Sequence, residues 1–325
     1  MLSITLTGKG EFMLKRFLCA ALAALCLFAS LPPVAALAQT KKPREIFPLD
    51  YDALPAPREG QHHYLMACVD NWRGNPRNLG NTDGVILVTM DTRTKRLIFT
   101  TFTREMLVQR PDGGIGRINY LAKNYGPEAL CRTISTHFGV KVEKYIIFDM
   151  VNVQTIIEAM GGVYITVTNA EAAYLNRYRI NRDSTKPSMA RGGTYLFGGH
   201  AAVIYMRIRK VGNEGDEGRT RRMRTVMKTL AKKFESITLS QAMALMDFVW
   251  NNTCTTNLNL ADMVEAMGSA LLLRGAEPED LQMPPSKAME PILYSGMTTR
   301  QVDFEMCRKI LEEFLYQSFD VVDDD

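Results

Sequence analysis

The chain has 325 residues, of which 46% are hydrophobic and 23% are charged, the composition of an ordinary globular protein. Its formal net charge is +4, and residues 1–38 contain three basic residues and one acidic residue, so the remainder has 36 basic and 34 acidic residues and a charge of +2. General nucleic-acid binders carry a much larger basic excess. The charge balance therefore excludes that class and leaves room for one local anion site.

The first 38 residues have the layout of an export signal. Two basic residues precede an apolar run, 17–31, and a stretch of small residues ends at Ala38, where we expect cleavage. The alternative is an uncleaved membrane anchor, because Phe17 to Ala38 gives 22 largely apolar residues, although Pro32 and Pro33 interrupt them. Both interpretations predict export from the cytoplasm.

A linker and three strands follow the N-terminal segment. Residues 39–60 contain four prolines, which is typical of a linker or an extended lead-in. The main domain is predicted over 61–236. It opens with strands at 64–69, 84–90 and 97–103, the last two forming a hairpin.

Helices and strands then alternate along the chain. A helix with proline in its first turn is predicted over 127–138, a strand over 145–150, a helix capped by Asn152 over 152–160, and a strand over 163–168. This alternation predicts an α/β fold with helices on both faces of a sheet. Residues 169–192 interrupt the pattern, and we interpret them as either a mobile lid or a plain insertion.

Helical patterns dominate the rest of the chain. A short helix, 200–205, leads into an extended arginine segment, and a long helix covers 219–234. Residues 237–325 are predicted to form a helical C-terminal extension that ends in an acidic tail. Its helices are expected at 239–250, 258–273 and 302–319.

Six arginines lie within the twenty residues 205–224. If the start of this stretch is extended, Arg207 and Arg209 leave the same face of a strand. Arg219 and Arg222 fall on the apolar side of the helix that follows, so they face inward. Planar guanidinium groups bind phosphate oxygens in pairs, and the cluster therefore predicts a phosphate or pyrophosphate clamp. The alternative is that these arginines pair with carboxylates elsewhere in the fold.

Two aspartates are expected at one edge of the sheet. Asp70 follows the first strand and Asp83 precedes the second, so pairing of these strands brings both carboxylates together. Mg²⁺ is commonly held by one or two carboxylates and by substrate phosphates. The alternative is that each aspartate is simply a turn residue. Arg104 and Arg117 add cations at loop positions after strands.

Four cysteines lie outside the N-terminal segment, and an even number in an exported chain permits disulfides. Cys68 on an apolar strand and Cys131 on a helix are equally well explained as buried free thiols. A bridge between Cys254 and Cys307 is the pairing left open in the C-terminal region.

Short motifs between residues 62 and 235 carry a family resemblance. They include Asp70-x-x-Arg73, Asn81-Thr-Asp83, Phe102-Thr-Arg104-Glu105, Arg117-Ile-Asn119, Ile157-Ile-Glu-Ala-Met-Gly-Gly-Val163, Tyr205-x-Arg207-x-Arg209 and Asp216-x-Gly-Arg219-x-x-Arg222. Each motif is weak alone, but in this order and spacing the chain resembles the LytR-CpsA-Psr family of cell-envelope proteins.

The resemblance implies a three-layer α/β/α domain with a central mixed sheet. Such a domain holds a polyprenyl pyrophosphate in an apolar groove and transfers a phosphoglycan to peptidoglycan, with Mg²⁺ as cofactor. Phosphoryl transfer of this kind depends mainly on positioning and charge stabilisation. The implied partners are the carrier-linked glycopolymer, peptidoglycan and a membrane surface, but no nucleic acid. The implied location is the cell envelope, either secreted or anchored to the cytoplasmic membrane.

Site residues follow from the resemblance. It assigns Mg²⁺ to Asp70 and Asp83, and Asp216 is the candidate base for the accepting hydroxyl, with Arg207 and Arg219 as catalytic arginines. The resemblance implies four pyrophosphate ligands, and the sequence pattern adds three more candidates. The four are Arg104, Arg207, Arg209 and Arg219; the added ones are Arg73, Arg117 and Arg222.

Three positions depart from the family pattern. Asn81 stands where the family usually has arginine, Gly84 where it usually has threonine, and Glu105 where it usually has aspartate. With one phosphate arginine missing, two other functions remain open: a non-catalytic polyprenyl-phosphate binding or regulatory protein, and a polyprenyl-pyrophosphate pyrophosphatase. Arg73 and Arg77 are candidate replacements for the missing arginine.

Overall fold

The computed structural model describes residues 42–316 except 71–78, 178–184, 213, 235 and 237. Its strands are β1 Gln61–Val69, β2 Thr82–Asp91, β3 Arg96–Phe102, β4 Leu107–Gln109, β5 Ile115–Arg117, β6 Lys144–Asp149, β7 Val163–Val167, β8 Gly193–Phe197, β9 Thr255–Thr256, β10 Glu279–Met283, β11 Met289–Tyr294 and β12 Met297–Val302. Its helices are α1 Leu121–Tyr125, α2 Pro127–Phe138, α3 Met150–Ala159, α4 Asn169–Arg177, α5 Gly199–Met206, α6 Gly215–Phe234, α7 Leu239–Asn251, α8 Leu260–Leu272 and α9 Phe304–Leu315.

A six-stranded mixed sheet forms the centre, with strand order β10-β3-β2-β1-β6-β9. The pairs β1/β2 and β2/β3 are antiparallel, whereas β6 runs parallel to β1 and β10 parallel to β3. The ends of β1, β3 and β6 and the start of β2 therefore meet at one edge of the sheet. Open α/β sheets generally bind ligands at such an edge.

Helices cover both faces of this sheet, as predicted. Because side chains alternate along a strand, Leu65 and Leu87 face α2 and α9, whereas Tyr64 and Val88 face α6, α7 and α8. Burial on both faces explains why β2 is an almost continuous apolar run instead of an alternating one. The three-layer α/β/α fold with a central mixed sheet is confirmed.

The helices and strands between residues 127 and 167 lie close to their predicted positions. Helix α2 has the predicted bounds, and β6, α3 and β7 begin or end within two residues of their predicted positions. The predicted cap at Asn152 is wrong. Asp149 is the N-cap: its carboxylate accepts from the Asn152 N–H at 2.8 Å, while the Asn152 amide oxygen accepts from the Asp149 N–H at 3.0 Å.

The prediction of a purely helical C-terminal extension is wrong in part. Helices α7, α8 and α9 are present, but β9 and β10 join the central sheet and β11 and β12 form a hairpin. Strand β10 has the sequence Glu-Asp-Leu-Gln-Met, a short charged edge strand without clear apolar alternation. It is fixed by a long-range ion pair between Arg96 and Glu279, with an N···O distance of 2.7 Å. These residues therefore complete the domain.

The prediction that Arg207 and Arg209 lie on an extended segment is also wrong. Helix α5 ends at Met206, and Arg207 is still near-helical with φ −91° and ψ 0°, so Arg207 and Arg209 do not leave one face of a strand. Residues 169–192 contain helix α4 and then a gap in the description. The lid interpretation therefore stays a prediction.

The cysteines carry no bridge in the described part of the chain. Cys68, Cys131, Cys254 and Cys307 are all free thiols, so the Cys254–Cys307 pairing is wrong. Cys254 lies 3.1 Å from the Asn152 amide oxygen, and Cys307 is buried in the core beside α2. Within residues 42–316, outside the gaps, no helix is long and apolar enough to cross a bilayer; the predicted signal or anchor lies outside the described residues.

Candidate active site

Three arginines surround the carboxylate of Asp83 at the sheet edge. Arg104 and Arg219 each place a guanidinium nitrogen 2.8 Å from Oδ1, and Arg207 lies 3.8 Å from Oδ2. The Asp83 side chain is only 9% exposed. Glu105 lies 3.9 Å from Arg104, so three guanidinium groups and two carboxylates meet here, and such an arginine-rich cluster suits a bound anion.

The electrostatics keep Asp83 ionised. Burial raises the pKa of its carboxyl, but the neighbouring Arg219, Arg104 and Arg207 outweigh burial, and the pKa lies below its ordinary value. The carboxylate is therefore a permanent counter-ion that orients the guanidinium groups.

Four separate segments supply this cluster. Asp83 lies at the start of β2, Arg104 two residues after β3, Arg207 at the C-terminal cap of α5, and Arg219 in the first turns of α6. The antiparallel order of β1, β2 and β3 brings the first two segments to the same edge. The crossing of α5 and α6 over that edge brings the other two.

An apolar space begins directly at the arginines. The inner apolar cavity, about 90 Å³ in volume, has Asp83, Arg207 and Arg219 at one end. Its other walls are apolar and rich in methionine: Met66, Cys68, Ile86, Phe148, Met150, Val153, Met206, Met223 and Met227. Methionine side chains are flexible and adapt to irregular apolar ligands.

A second apolar space continues away from the arginines. The outer apolar cavity, about 250 Å³, shares Met66 and Met227 with the inner one. The sheet forms its floor, and helices α3, α6, α7 and α8 supply its walls, through residues that include Val88, Phe99, Ile156, Leu230, Leu245, Val249, Ala270 and Leu273. Both cavities lie between the sheet and one helical layer with Met66 and Met227 as common wall residues, and we call the two together the apolar passage.

A polar cavity of about 380 Å³ adjoins the arginine cluster. Thr103 and Glu105, which flank Arg104, and Thr220, which follows Arg219, line it. Its further lining is charged or polar: Arg209, Glu214, Glu217, Gln282 and Arg300. The cluster is thus bordered by apolar space and by polar space.

Three more of the predicted arginines, Arg117, Arg209 and Arg222, lie in the described part of the chain. Arg209 lines the polar cavity, and Arg117 donates to the Thr298 carbonyl at 2.5 Å. Arg222 is buried, and its Nε donates to Glu171 at 2.6 Å. For Arg222 the alternative of pairing with a carboxylate holds. Arg73 lies outside the described residues.

Both remaining acidic candidates lie close in sequence to this edge. Asp70 follows β1, and its N–H donates to the Asn81 carbonyl at 3.0 Å, which confirms the expected position at the same edge as Asp83. Asp216 lies in the first turn of α6, but its side chain is outside the described residues.

Two features of the site were missed from the sequence. Glu171, the buried partner of Arg222, lies in a segment interpreted as an excursion, and no local pattern connects it with a helix fifty residues later. The methionine lining was also missed as a set, although Met223 and Met227 recur at helical spacing on the inward side of α6.

Two carboxylates at this edge are candidate ligands for a divalent cation. Asp70 and Asp83 are hard oxygen donors of the kind that Mg²⁺ takes, and Asp83 is held ionised. Among the described residues no group of three or more metal-ligating side chains occurs. The residues fit an ion that takes most of its remaining ligands from phosphate oxygens and water.

Asn81 differs from the family pattern and lies beside this site. Its amide oxygen is buried and has no hydrogen-bond partner in the described structure. A buried polar atom of this kind usually has a partner in the functional state. Residues 71–78, which include Arg73 and Arg77, lie outside the described residues.

Fold and site together define an α/β/α protein in which two apolar cavities adjoin a cluster of three arginines around a buried carboxylate. Residues 40–311 match the model of the LytR_cpsA_psr family, and the chain belongs to that family.

Curated relatives share part of the sequence. The chain is 30% identical over 200 residues to the polyisoprenyl-teichoic acid–peptidoglycan teichoic acid transferase TagU of Oceanobacillus iheyensis, covering 59% of this chain and 57% of that protein. It is 29% identical over 164 residues to the biofilm regulatory protein A of Streptococcus mutans, covering 47% of this chain and 39% of that protein. The matches thus span about half the length of these relatives.

Solved structures share the fold. The crystal structure of Bacillus subtilis TagV aligns with a TM-score of 0.62 at 20% identity, covering 79% of this chain and 98% of that one. TagT bound to LI-WTA aligns with a TM-score of 0.61 at 18% identity, covering 83% and 94%. At this identity the likeness establishes the fold alone.

Proposed function

We propose that this protein transfers a phosphoglycan from a polyprenyl-pyrophosphate carrier to peptidoglycan. One observation carries the proposal: Arg207 and Arg219 line the inner apolar cavity and, together with Arg104, surround the buried carboxylate of Asp83. Family membership supports it, as does the TagU relative, whose name describes a teichoic acid transfer to peptidoglycan.

The two parts of the proposed ligand bind in different places. The polyprenyl chain lies in the apolar cavities, and the pyrophosphate lies against the guanidinium groups. The three guanidinium groups face the carboxylates of Asp83 and Glu105, and planar guanidinium groups also bind phosphate oxygens in pairs. Positioning and charge stabilisation are the main protein contributions to phosphoryl transfer.

Mg²⁺ is part of the proposal, with Asp83 and Asp70 as its protein ligands. When bound, the ion would neutralise developing charge on the phosphate oxygens. In this structure both oxygens of Asp83 face arginines, Oδ1 towards Arg104 and Arg219 and Oδ2 towards Arg207.

The proposed transfer step uses an acceptor hydroxyl of peptidoglycan. Its oxygen forms a bond to the phosphorus on the glycan side, and the bond from that phosphorus to the bridging oxygen breaks. The electron pair leaves with polyprenyl phosphate, and the hydroxyl proton passes to a base. Asp216 is the proposed base, because its neighbours Gly215 and Glu217 line the polar cavity beside the cluster. The acceptor would enter through that cavity.

The test follows product formation from a synthetic polyprenyl-pyrophosphate-linked sugar with Mg²⁺ and a peptidoglycan oligomer. We expect Arg207→Ala to lower acceptor-dependent turnover by about 100-fold or more, as for loss of one charge-stabilising donor. Arg132→Ala is the matched control, because Arg132 stacks on Tyr51 outside the cluster, and it should retain wild-type turnover.

The other outcomes identify the alternatives. Phosphate release that does not depend on acceptor would indicate a pyrophosphatase. Tight binding of the lipid without turnover would indicate a binding or regulatory protein, for which the Asn81 departure is the supporting observation. Neither binding nor turnover would refute the proposal.

A further inference from the structure

Helices α7 and α8 expose an unusual amount of apolar surface. Twelve large apolar side chains are exposed in the described structure, and six of them belong to these two 13-residue helices. They are Leu239, Met243, Trp250, Leu260, Val264 and Leu272, with exposed fractions from 41% to 71%. Monomeric soluble proteins rarely leave large contiguous apolar patches exposed without a function.

The exposed side chains follow the helical repeat. In α7 the exposed Leu239, Met243 and Trp250 share a stripe with the half-buried Met246, which also packs against the core. In α8 the exposed Leu260 and Val264 share a stripe with the half-buried Met267 and Leu271, and the exposed Leu272 lies beside it. Both stripes use the spacing i, i+4, i+7, i+11, which places each set on one side of its helix. We name the eight residues of the two stripes the α7–α8 face.

A different side of each helix faces the core. Leu245 and Val249 of α7 and Ala270 of α8 line the outer apolar cavity, and Met263 is buried against the sheet. Each helix therefore has one apolar side that packs against the core and a second apolar side that is largely exposed. They are also the outer wall of the apolar passage.

Charge is nearly absent from this region. Residues 238–273 contain no lysine or arginine and only three acidic residues, Asp247, Asp262 and Glu265. Asp262 is bound to Lys144 at 2.7 Å, and Glu265 lies 3.5 Å from His62. A surface with so few charges enters an apolar phase at low cost, because buried charges are expensive.

Basic residues lie at one margin of the face. Lys95 donates to the Leu272 carbonyl at 3.2 Å, and the exposed Arg274 follows α8. Cations at the edge of an apolar surface complement the phosphate groups of lipid head groups. Trp250 lies on the face itself, and tryptophan is enriched where protein meets the membrane interface.

We propose that the α7–α8 face docks on a lipid bilayer and brings the outer apolar cavity to the hydrocarbon. This inference rests on the proposed function, because a polyprenyl chain has to pass between the bilayer and the cavity. The charge pattern and the position of the two helices over that cavity favour a bilayer as the occupant. A second copy of this chain is the competing occupant.

The test uses residues 39–325, which omit the apolar N-terminal run but keep every helix and strand described, the first of which begins at Gln61. Flotation measures partition onto vesicles of phosphatidylcholine with phosphatidylglycerol, without polyprenyl lipid. The chain has two tryptophans, Trp72 and Trp250. In a Trp72→Phe background, the fluorescence of Trp250 should shift to the blue on vesicle addition and be quenched by brominated lipid.

The key variant is Leu260→Ser with Val264→Ser, which should lower vesicle partition by about tenfold or more. The matched control is Phe47→Ser with Met306→Ser, since both are exposed apolar residues on the α2 and α9 side of the sheet. The control should partition like the wild type. No wild-type partition, or equal losses in both variants, would overturn the proposal. A wild-type dimer that the face variant converts to a monomer, without vesicle binding by either, would assign the face to self-association.

Turnover separates this inference from the proposed function. On a short-chain, water-soluble donor, the face variant should keep the wild-type rate, because Leu260 and Val264 line neither cavity. On a long-chain donor embedded in vesicles its rate should fall by about tenfold, in line with its partition. If no donor is turned over by any variant, the proposed function fails, and vesicle partition still tests the docking face.

Discussion

Arg219 and Arg222 lie one turn apart on the same side of α6, yet they bind carboxylates on different elements. Arg219 donates to Asp83 at 2.8 Å at the sheet edge, and Arg222 donates to Glu171 of α4 at 2.6 Å in the interior. Helix α6 thus supplies Arg219 to the inner apolar cavity and Arg222 to a buried ion pair that supports the fold.

Loss of the Arg222–Glu171 pair should destabilise the fold. Both side chains are at most 2% exposed, so Arg222→Ala leaves Glu171 as an uncompensated buried charge and should cost roughly 3–5 kcal/mol. The measurement is the urea unfolding midpoint. The double variant Arg222→Met with Glu171→Leu should recover most of the loss, because no buried charge remains. If Arg222→Ala were as stable as the wild type, the pair would not contribute to the stability of the fold.

Asp83→Asn should lower the stability of the fold, and an anionic ligand should restore part of the loss. It removes the counter-ion of Arg104, Arg207 and Arg219 while keeping the side-chain shape, and we expect a loss of roughly 3 kcal/mol in urea unfolding. Pyrophosphate should restore part of that loss, because a ligand that binds only the folded state stabilises it. The control is Asp112→Asn, because Asp112 is exposed. Its stability should stay close to that of the wild type, and pyrophosphate should not restore any loss that its substitution causes.

Low pH should remove the stabilising interaction between Asp83 and its three arginines. The folded pKa of Asp83 lies below its unfolded value, so its contribution is fully present above about pH 4 and is lost as pH falls through the folded pKa. Unfolding midpoints measured from pH 5 to pH 2 should therefore fall less steeply for Asp83→Asn than for the wild type. Equal slopes would contradict this assignment.

A buried histidine should make stability sensitive to milder acid. His137 donates from Nδ1 to the Thr133 carbonyl at 2.8 Å and accepts at Nε2 from the Gln109 N–H at 3.0 Å, which fixes the neutral ring. Burial lowers its pKa to about 4. The contribution is complete above about pH 6.5 and is lost as pH falls toward 4, a change of roughly 3 kcal/mol. His137→Gln, although less stable at pH 7, should show a shallower decline of the unfolding midpoint between pH 7 and 4.5.

Gly84 should control the width of the inner apolar cavity. A Cβ at this position would lie 2.4 Å from the Met223 sulfur, so Gly84→Ala forces the flexible Met223 side chain to move within the cavity. We expect weaker binding of a polyprenyl phosphate by about 1–2 kcal/mol, measured by titration calorimetry. Adding Met223→Ala should restore binding, and the double-mutant cycle measures the coupling. Additive losses would show that the two positions act independently.

The sequence by itself determined the α/β class, the first three strands, helix α2 and the family, because apolar periodicity, caps and motif spacing are local properties of the chain. It also identified Asp83, Arg104, Arg207 and Arg219, although it placed Arg207 on a strand that does not form. The error has a physical reason: alternation over five residues is also compatible with the end of a helix.

Only the tertiary structure decided how these groups are partnered. The pairing of Arg222 with Glu171, the position of Arg209 on the polar cavity and the free thiols at Cys254 and Cys307 all depend on contacts between distant segments. The edge strand β10 is likewise held by its partner strand β3 and by the Arg96–Glu279 pair. Such contacts leave no periodic signal in either segment, since each residue's partner is set by the packing of whole elements against the sheet.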